Sequence, residues 1–305
     1  MRLLLLICSI VILNSCGAKH PEFDGGKAFD FLLAQCDLGP RFPGSDGHKK
    51  CKNYIIELLN TYADSVIVQN FTYSLNNNPE VQKGFNIIAL FSAQLENHVL
   101  LGAHWDTRPV ADQDLQQQNK LKPIIGANDG ASGVSILLHL AEIMSNKKPP
   151  RRVSLAFFDV EDSGDVGDNS SYCIGSTYFS KNLPIDKPKE GVILDMVGDK
   201  NLEILIERYP YKYNKELVKK LWGRAKDLSL KSFKNHLGYA IYDDHVPLND
   251  FAGIPTIDII DFNYPNTYLN YWHTVNDIPQ NCSPESLKEV GTLMIDYIYN
   301  EDFTK

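Results

Sequence analysis

The chain has 305 residues, 43% of them hydrophobic, enough to bury a full core in one large domain. Its formal net charge of −8 argues against nucleic acid as a partner. The apolar run Leu3 to Leu13 is too short to span a bilayer, which excludes a permanent membrane-spanning anchor there.

Met1-Arg2 followed by that run reads as a signal segment over residues 1–15. It ends in Leu13-Asn14-Ser15-Cys16, which resembles a bacterial lipoprotein box, with cleavage before Cys16 and lipid on its sulfur. Residues 16–26 are expected to be a lipid-anchored tether and 27–305 the catalytic domain. The expected location is an exported lipoprotein on the periplasmic face of the outer membrane, touching the bilayer only through its lipid. Cys36, Cys51, Cys173 and Cys282 then remain; their spacing matches no zinc motif, and an exported location permits a Cys36–Cys51 pairing without requiring it.

Phe29 to Leu38 reads as an amphipathic helix closed by Gly39-Pro40. Ser45 caps a longer helix, with Cys51, Tyr54, Ile55, Leu58 and Leu59 as its buried stripe. Val66 to Tyr73 and Phe85 to Leu90 read as strands of a hairpin. Val99 to Leu101 is a buried strand ending in Gly102-Ala103-His104-Trp105-Asp106. The loop Asp112 to Lys122 is polar and is expected to be a solvent-exposed wall. Gly126 to Gly133 packs small residues around Asp129, then enters a helix over 133–146 with Val134, Leu137, Leu138 and Ala141 on its buried face. Strands follow at 153–158, 191–194, 202–206 and 255–260, with helices at 215–228 and 284–299. Strands alternating with helices predict one α/β domain with a mostly parallel sheet.

Chemistry collects where strands stop. His104 and Asp106, Glu161 and Asp162, and Asp195 each follow an apolar strand, where ligands bind in open α/β sheets. Asp129, the run Tyr242-Asp243-Asp244-His245 and the run Tyr271-Trp272-His273 join them. A single strand-end Asp is ordinarily a turn or capping residue. Five such signals at one sheet edge, all carboxylate or imidazole and no thiolate, predict a catalytic zinc with an open coordination position. His139 is expected to be a surface or packed residue rather than a ligand, Trp222 a core residue, and Asp106 an orienting partner of His104.

The segments HWDTRPVADQD (104–114), PIIGANDGASGV (123–134), FFDVED (157–162), LDMVGD (194–199), DDHVPL (243–248) and WHTVND (272–277) together resemble the zinc-dependent M28 peptidase family. Within it, the resemblance is to glutaminyl-peptide cyclotransferases of the animal type as found in bacteria. That resemblance implies a three-layer α/β/α fold around a mixed, mostly parallel twisted sheet. It implies conversion of N-terminal glutamine to pyroglutamate with release of ammonia, on peptide and protein substrates, by a monomer holding one Zn2+. Asp129, Asp162 and His273 match the zinc ligands. Glu161 matches the general acid/base, Asp195 and Asp243 a pair of supporting acids, and Trp272 and Tyr172 the glutamine pocket. Asp162 stands where the cyclase pattern carries Glu, and Asp258 where animal enzymes carry histidine. The rival reading is a two-zinc aminopeptidase of the same family, with His104 and Asp195 on a second metal.

Overall fold

In the computed structural model, residues 20–75 and 78–304 are described; the signal segment and Cys16 lie outside them. In chain order the elements are α1 (Gly25–Asp37), α2 (Asp46–Tyr62), β1 (Ser65–Leu75), β2 (Asn78–Phe91), β3 (Val99–His104), α3 (Ala131–Asn146), β4 (Val153–Phe158) and α4 (Ile174–Lys181). Then come β5 (Glu190–Asp195), β6 (Ile204–Ile206), α5 (Arg208–Tyr213), α6 (Lys215–Asp227), β7 (Phe233–Leu237), α7 (His245–Asp250), β8 (Thr256–Ile260) and α8 (Pro284–Tyr299).

The main sheet has the order β1-β2-β4-β3-β5-β8. β4, β3, β5 and β8 run parallel, while the hairpin β1–β2 adds antiparallel to β4. Alternate residues of each central strand enter different cores. Leu101 and Ala103, Leu155 and Phe157, and Val192 and Leu194 pack beneath α1, α2, α3, α6 and α8. Leu100, Ala156, Phe158 and Ile193 pack with Phe179 of α4 and Leu248 of α7 on the other face. Helices on both faces explain why these strands are continuously apolar rather than alternating. The fold is thus the expected three-layer α/β/α arrangement.

Three sequence expectations are corrected, and the cysteine pairing that the sequence left open is decided. Residues 23–26 belong to the domain rather than the tether: Asp24 caps α1, and the Phe23 ring packs against Gly291 of α8. The strand expected at 202–206 is not in the main sheet. It shortens to β6 and pairs parallel with β7, because Asp199 and its following turn carry the chain away from the sheet edge. α3 buries nearly its whole surface and not one face, since α1, α2 and α8 pack around it above β3. Cys36 and Cys51 are separate free thiols, both buried. His139 and Trp222 are packed as expected.

The turn between α1 and α2 is anchored from inside. The fully buried Arg41 donates to the carbonyl oxygens of Trp105 (3.1 Å), Ile125 (2.7 Å) and Gly126 (2.7 Å). It therefore ties the segment after β3 to the loop that carries Asp129. Arg41→Met withdraws this donor from all three carbonyls, of which that of Gly126 keeps the N–H of Ala131 at 3.2 Å; a buried acceptor left unpaired costs about 1–3 kcal/mol. The variant is expected to unfold at markedly lower denaturant concentration than wild type, and an unchanged midpoint would contradict this anchoring role.

Candidate metal centre

The strand register builds the site. Pairing Gly102 with Ile193 across β3 and β5 sets His104 level with Asp195 at the carboxyl ends of those strands. His104 Nε2 lies 3.2 Å from Asp195 Oδ1 and 2.9 Å from Asp129 Oδ1. Asp129 precedes α3, whose cap is Gly130; its carboxylate faces imidazoles rather than capping the helix. Only a glycine fits at 130, because a Cβ there would stand 2.4 Å from His104 Nε2. On the far side, His273 Nε2 lies 2.7 Å from Asp162 Oδ1 and 3.7 Å from Asp129 Oδ2. Two groups result, His104–Asp129–Asp195 and Asp129–Asp162–His273, sharing Asp129.

The second group fits a metal ion on its own geometry. Asp129 Oδ2, Asp162 Oδ2 and His273 Nε2 are buried and make no hydrogen bond, although His273 and Asp162 are in contact. Buried polar atoms without partners are costly, and atoms that approach without hydrogen-bond geometry are aimed at a common point. A nitrogen–oxygen donor set of this kind suits zinc. Burial disfavours the imidazolium of His273, yet Asp162, Asp112 and Asp129 push its pKa up to about 9. A cation amid those acids takes the place of that proton.

Buried carboxylates around the centre hold this arrangement. Asp106 accepts the backbone N–H groups of Glu161 (3.0 Å) and Asp162 (3.3 Å) and lies 3.5 Å from His104 Nδ1. It was expected to orient His104; it also fixes the loop after β4. Asp277 accepts the N–H groups of Asn128 (2.7 Å) and Asp129 (3.2 Å) and the Tyr264 hydroxyl (3.0 Å). Asp112 lies 3.5 Å from His273 Nδ1 and is paired with Arg108. The loop 112–122 is thus only partly a solvent-exposed wall: Asp112 turns inward, and the buried Asp114 accepts the N–H of Val275. Asp277 and Asp112 sit inside quoted motifs, but the backbone groups Asp277 accepts and the His273 ring that Asp112 faces are far away in the chain, and no spacing discloses them.

Val160, Cys173, Met196 and His273 all have φ near +50 to +60° without being glycine. Each such residue costs on the order of 1–3 kcal/mol, and these flank or belong to the site. The centre opens into a cavity of about 690 Å³. Asp129, Glu161, Asp162, Asp195, Asp243 and His273 line it, with Trp272 and Tyr172 on its walls. The Trp272 ring stacks on His273 with centroids 3.7 Å apart. Burial, reinforced by Asp162, Asp243 and Asp244, holds the Glu161 carboxyl well above the usual range, against the pull of His104. The Cys173 thiol donates to Glu161 Oε1 at 3.3 Å. Asp195 and Asp243 share no hydrogen bond: Asp195 hydrogen-bonds His104, while Asp243 accepts the N–H of Asp244 and its pKa is pushed up to about 7 by burial and the nearby charge of Asp195. Asp258, whose place in the scheme the sequence left open, is buried behind Asp243 beside His245.

The model of peptidase family M28 matches residues 86–298, which carry nearly all of these groups. The chain belongs to peptidase family M28. Among solved M28-like structures, the glutaminyl cyclase of Bacteroides thetaiotaomicron bound to N-acetylhistamine is 34% identical, with TM-score 0.89 over 92% of this chain and 99% of that one. A leucine aminopeptidase precursor of the same organism is 35% identical, with TM-score 0.87 over 92% and 98%. An aminopeptidase of Bacillus subtilis is 24% identical over 92% of this chain, which spans 58% of that protein's length. The protein is accordingly an M28 enzyme whose fold is that of bacterial glutaminyl cyclases and zinc exopeptidases alike.

Asp106→Ala removes the acceptor for two buried N–H groups that set the Glu161–Asp162 loop. Changes of this kind behind metal-binding side chains typically cost 10–100-fold in affinity. Chelator competition is expected to show zinc held about 10–100-fold more weakly than in wild type; equal affinity would remove Asp106 from this role.

Proposed function

We propose that this M28 enzyme is a glutaminyl-peptide cyclotransferase, converting N-terminal glutamine of peptides and proteins to pyroglutamate and ammonia. The observation that carries the reading is one cavity in which Glu161, Asp243 and Trp272 surround the Asp129–Asp162–His273 group. Likeness to a solved glutaminyl cyclase supports it, while a solved aminopeptidase precursor of near-equal similarity keeps the rival in view.

Asp129, Asp162 and His273 would hold a zinc ion, which would supply Lewis acidity toward the γ-carbonyl of the substrate side chain. Glu161 takes a proton from the α-amine as that nitrogen bonds to the γ-carbon, then delivers it to the amide nitrogen that leaves as ammonia. Its raised affinity for protons suits a group that both accepts and returns one. Trp272, held flat against His273, walls the pocket and keeps the side chain folded back on its own amine. Asp243, backed by Asp258, faces the same cavity and offers an acceptor to the amine.

We read one zinc per chain. Asp129 Oδ2, Asp162 Oδ2 and His273 Nε2 are buried without a hydrogen-bond partner, whereas His104 Nε2 already hydrogen-bonds Asp195. The His104–Asp129–Asp195 group is the observation that favours the two-zinc aminopeptidase. The Leu13–Cys16 segment makes the enzyme a lipid-anchored exported protein in this reading. Among the described residues no helix is long and apolar enough to cross a membrane.

Two dipeptides separate the alternatives: Gln-Ala is expected to release ammonia and leave the peptide bond intact, with Leu-Ala untouched and about one zinc per active chain. Free leucine from Leu-Ala, with two tightly held zincs, would reverse the assignment. Glu161→Gln keeps the shape and removes the proton acceptor. Turnover should fall by roughly 10²–10⁴ with zinc still bound; loss of the zinc would make Glu161 a ligand instead.

A further inference from the structure

The chain is acidic overall, but one face is not. Between Lys215 and Lys234, seven basic side chains meet only Glu216 and Asp227. Some are engaged: Lys219 with Glu216, and Arg224 with Asp227 and Asp296. Lys226, Lys231 and Lys234 have no carboxylate partner among the described residues. With Lys219 they line a groove floored by Trp222 and Phe233, between α6 and β7 and on the far side of α6 from α8. A cluster of this sign on a chain of net −8 creates a local potential that selects an anionic partner.

The path of the N-terminus says which one. Gly25 lies against Pro284 at the start of α8, and Phe23 lies against Gly291 in its middle. His20 stands close enough to Asp296, near the end of α8, for its charge to favour the ionised carboxylate. Asp296 in turn accepts two hydrogen bonds from Arg224 of α6, at 2.8 and 2.9 Å. The chain therefore runs along α8 and leaves beside α6. Only four residues' reach, at most about 14 Å, separates Cys16 from His20. A lipid on Cys16 draws this corner of the molecule to within about that distance of the bilayer.

We infer that the exposed face of α6 and the segment leading into β7 rest on the anionic surface of the membrane that holds the lipid. The inference rests on the lipoprotein reading of Cys16, and its test does not. The lipid supplies attachment and the lysines supply orientation, since one acyl-linked residue alone leaves the domain free to rotate. Basic side chains at an anionic surface each contribute about fivefold in binding, and salt screens them.

The test uses the mature chain with Cys16→Ser, which carries no lipid. It is expected to cosediment with vesicles of phosphatidylcholine and phosphatidylglycerol at low salt, to release at high salt, and to ignore pure phosphatidylcholine. Lys226→Glu, Lys231→Glu and Lys234→Glu together should weaken this binding by about 100-fold. Turnover on a dipeptide and the unfolding midpoint should hold, as these residues lie outside the catalytic cavity; the triple Gln variant and the salt titration serve if the Glu variant fails to fold. Equal binding to both vesicle types, equal binding by the variant, or capture by soluble heparin without binding to vesicles would each overturn the inference. Failure of lipidation is read separately, as unmodified Cys16 in the protein isolated from cells.

Discussion

Asp129 sits between two imidazoles, one oxygen turned toward His104 and the other toward His273, with almost no exposure to water. Around it stand Asp162, Asp195, Glu161 and Asp243, all buried. So many carboxyls in so little water are tolerable only if protons, imidazolium charge or a metal ion compensate them. The rest of the structure serves that constraint. Arg41 and Asp277 hold the backbone that presents Asp129, and Asp106 holds the backbone that presents Asp162.

The support is largely main-chain. Carboxylates that bear no metal accept N–H groups from the loops that carry those facing the centre, so rigid strands transmit their position through one hydrogen-bonded layer. Gly130 and Gly133 let α3 approach His104 and Leu194 more closely than any Cβ allows. Four non-glycine residues in the left-handed region show where the loops are bent to aim their side chains. Strain of that kind persists only where neighbouring contacts over-determine the conformation.

Ring closure by a cyclase and hydrolysis by an aminopeptidase both need a polarised carbonyl beside a carboxylate that moves a proton. They differ in what attacks. Water must be held by the metal in hydrolysis, whereas the amine of glutamine arrives already attached to its target. Walls that fold a side chain back, such as Trp272 over His273, therefore matter more to ring closure than a second bound ion. The two solved relatives of near-equal similarity show that the scaffold alone does not select between these outcomes.

The sequence by itself determined the family, the strand ends that carry chemistry, and most element boundaries. Apolar runs ending in acids are a local signal: a strand buried on both faces must be apolar until it emerges, and ligands gather where it does. Glu161, Asp162 and Asp195 were legible for that reason, and Asp129 and His273 from the motifs that hold them. Tertiary structure alone decided the partners. Asp195 turned to His104, and Asp258 came to lie beside Asp243 and His245, because strand register and the packing of α7 on β8 set those distances, and neither leaves a trace in spacing. The same holds for Asp277, which reaches back to Asn128 across almost half the chain, and for β6, drawn out of the main sheet to pair with β7. Hydrogen bonds to backbone carry no residue signature at the donor, so only the folded chain reveals which carboxylate holds which loop.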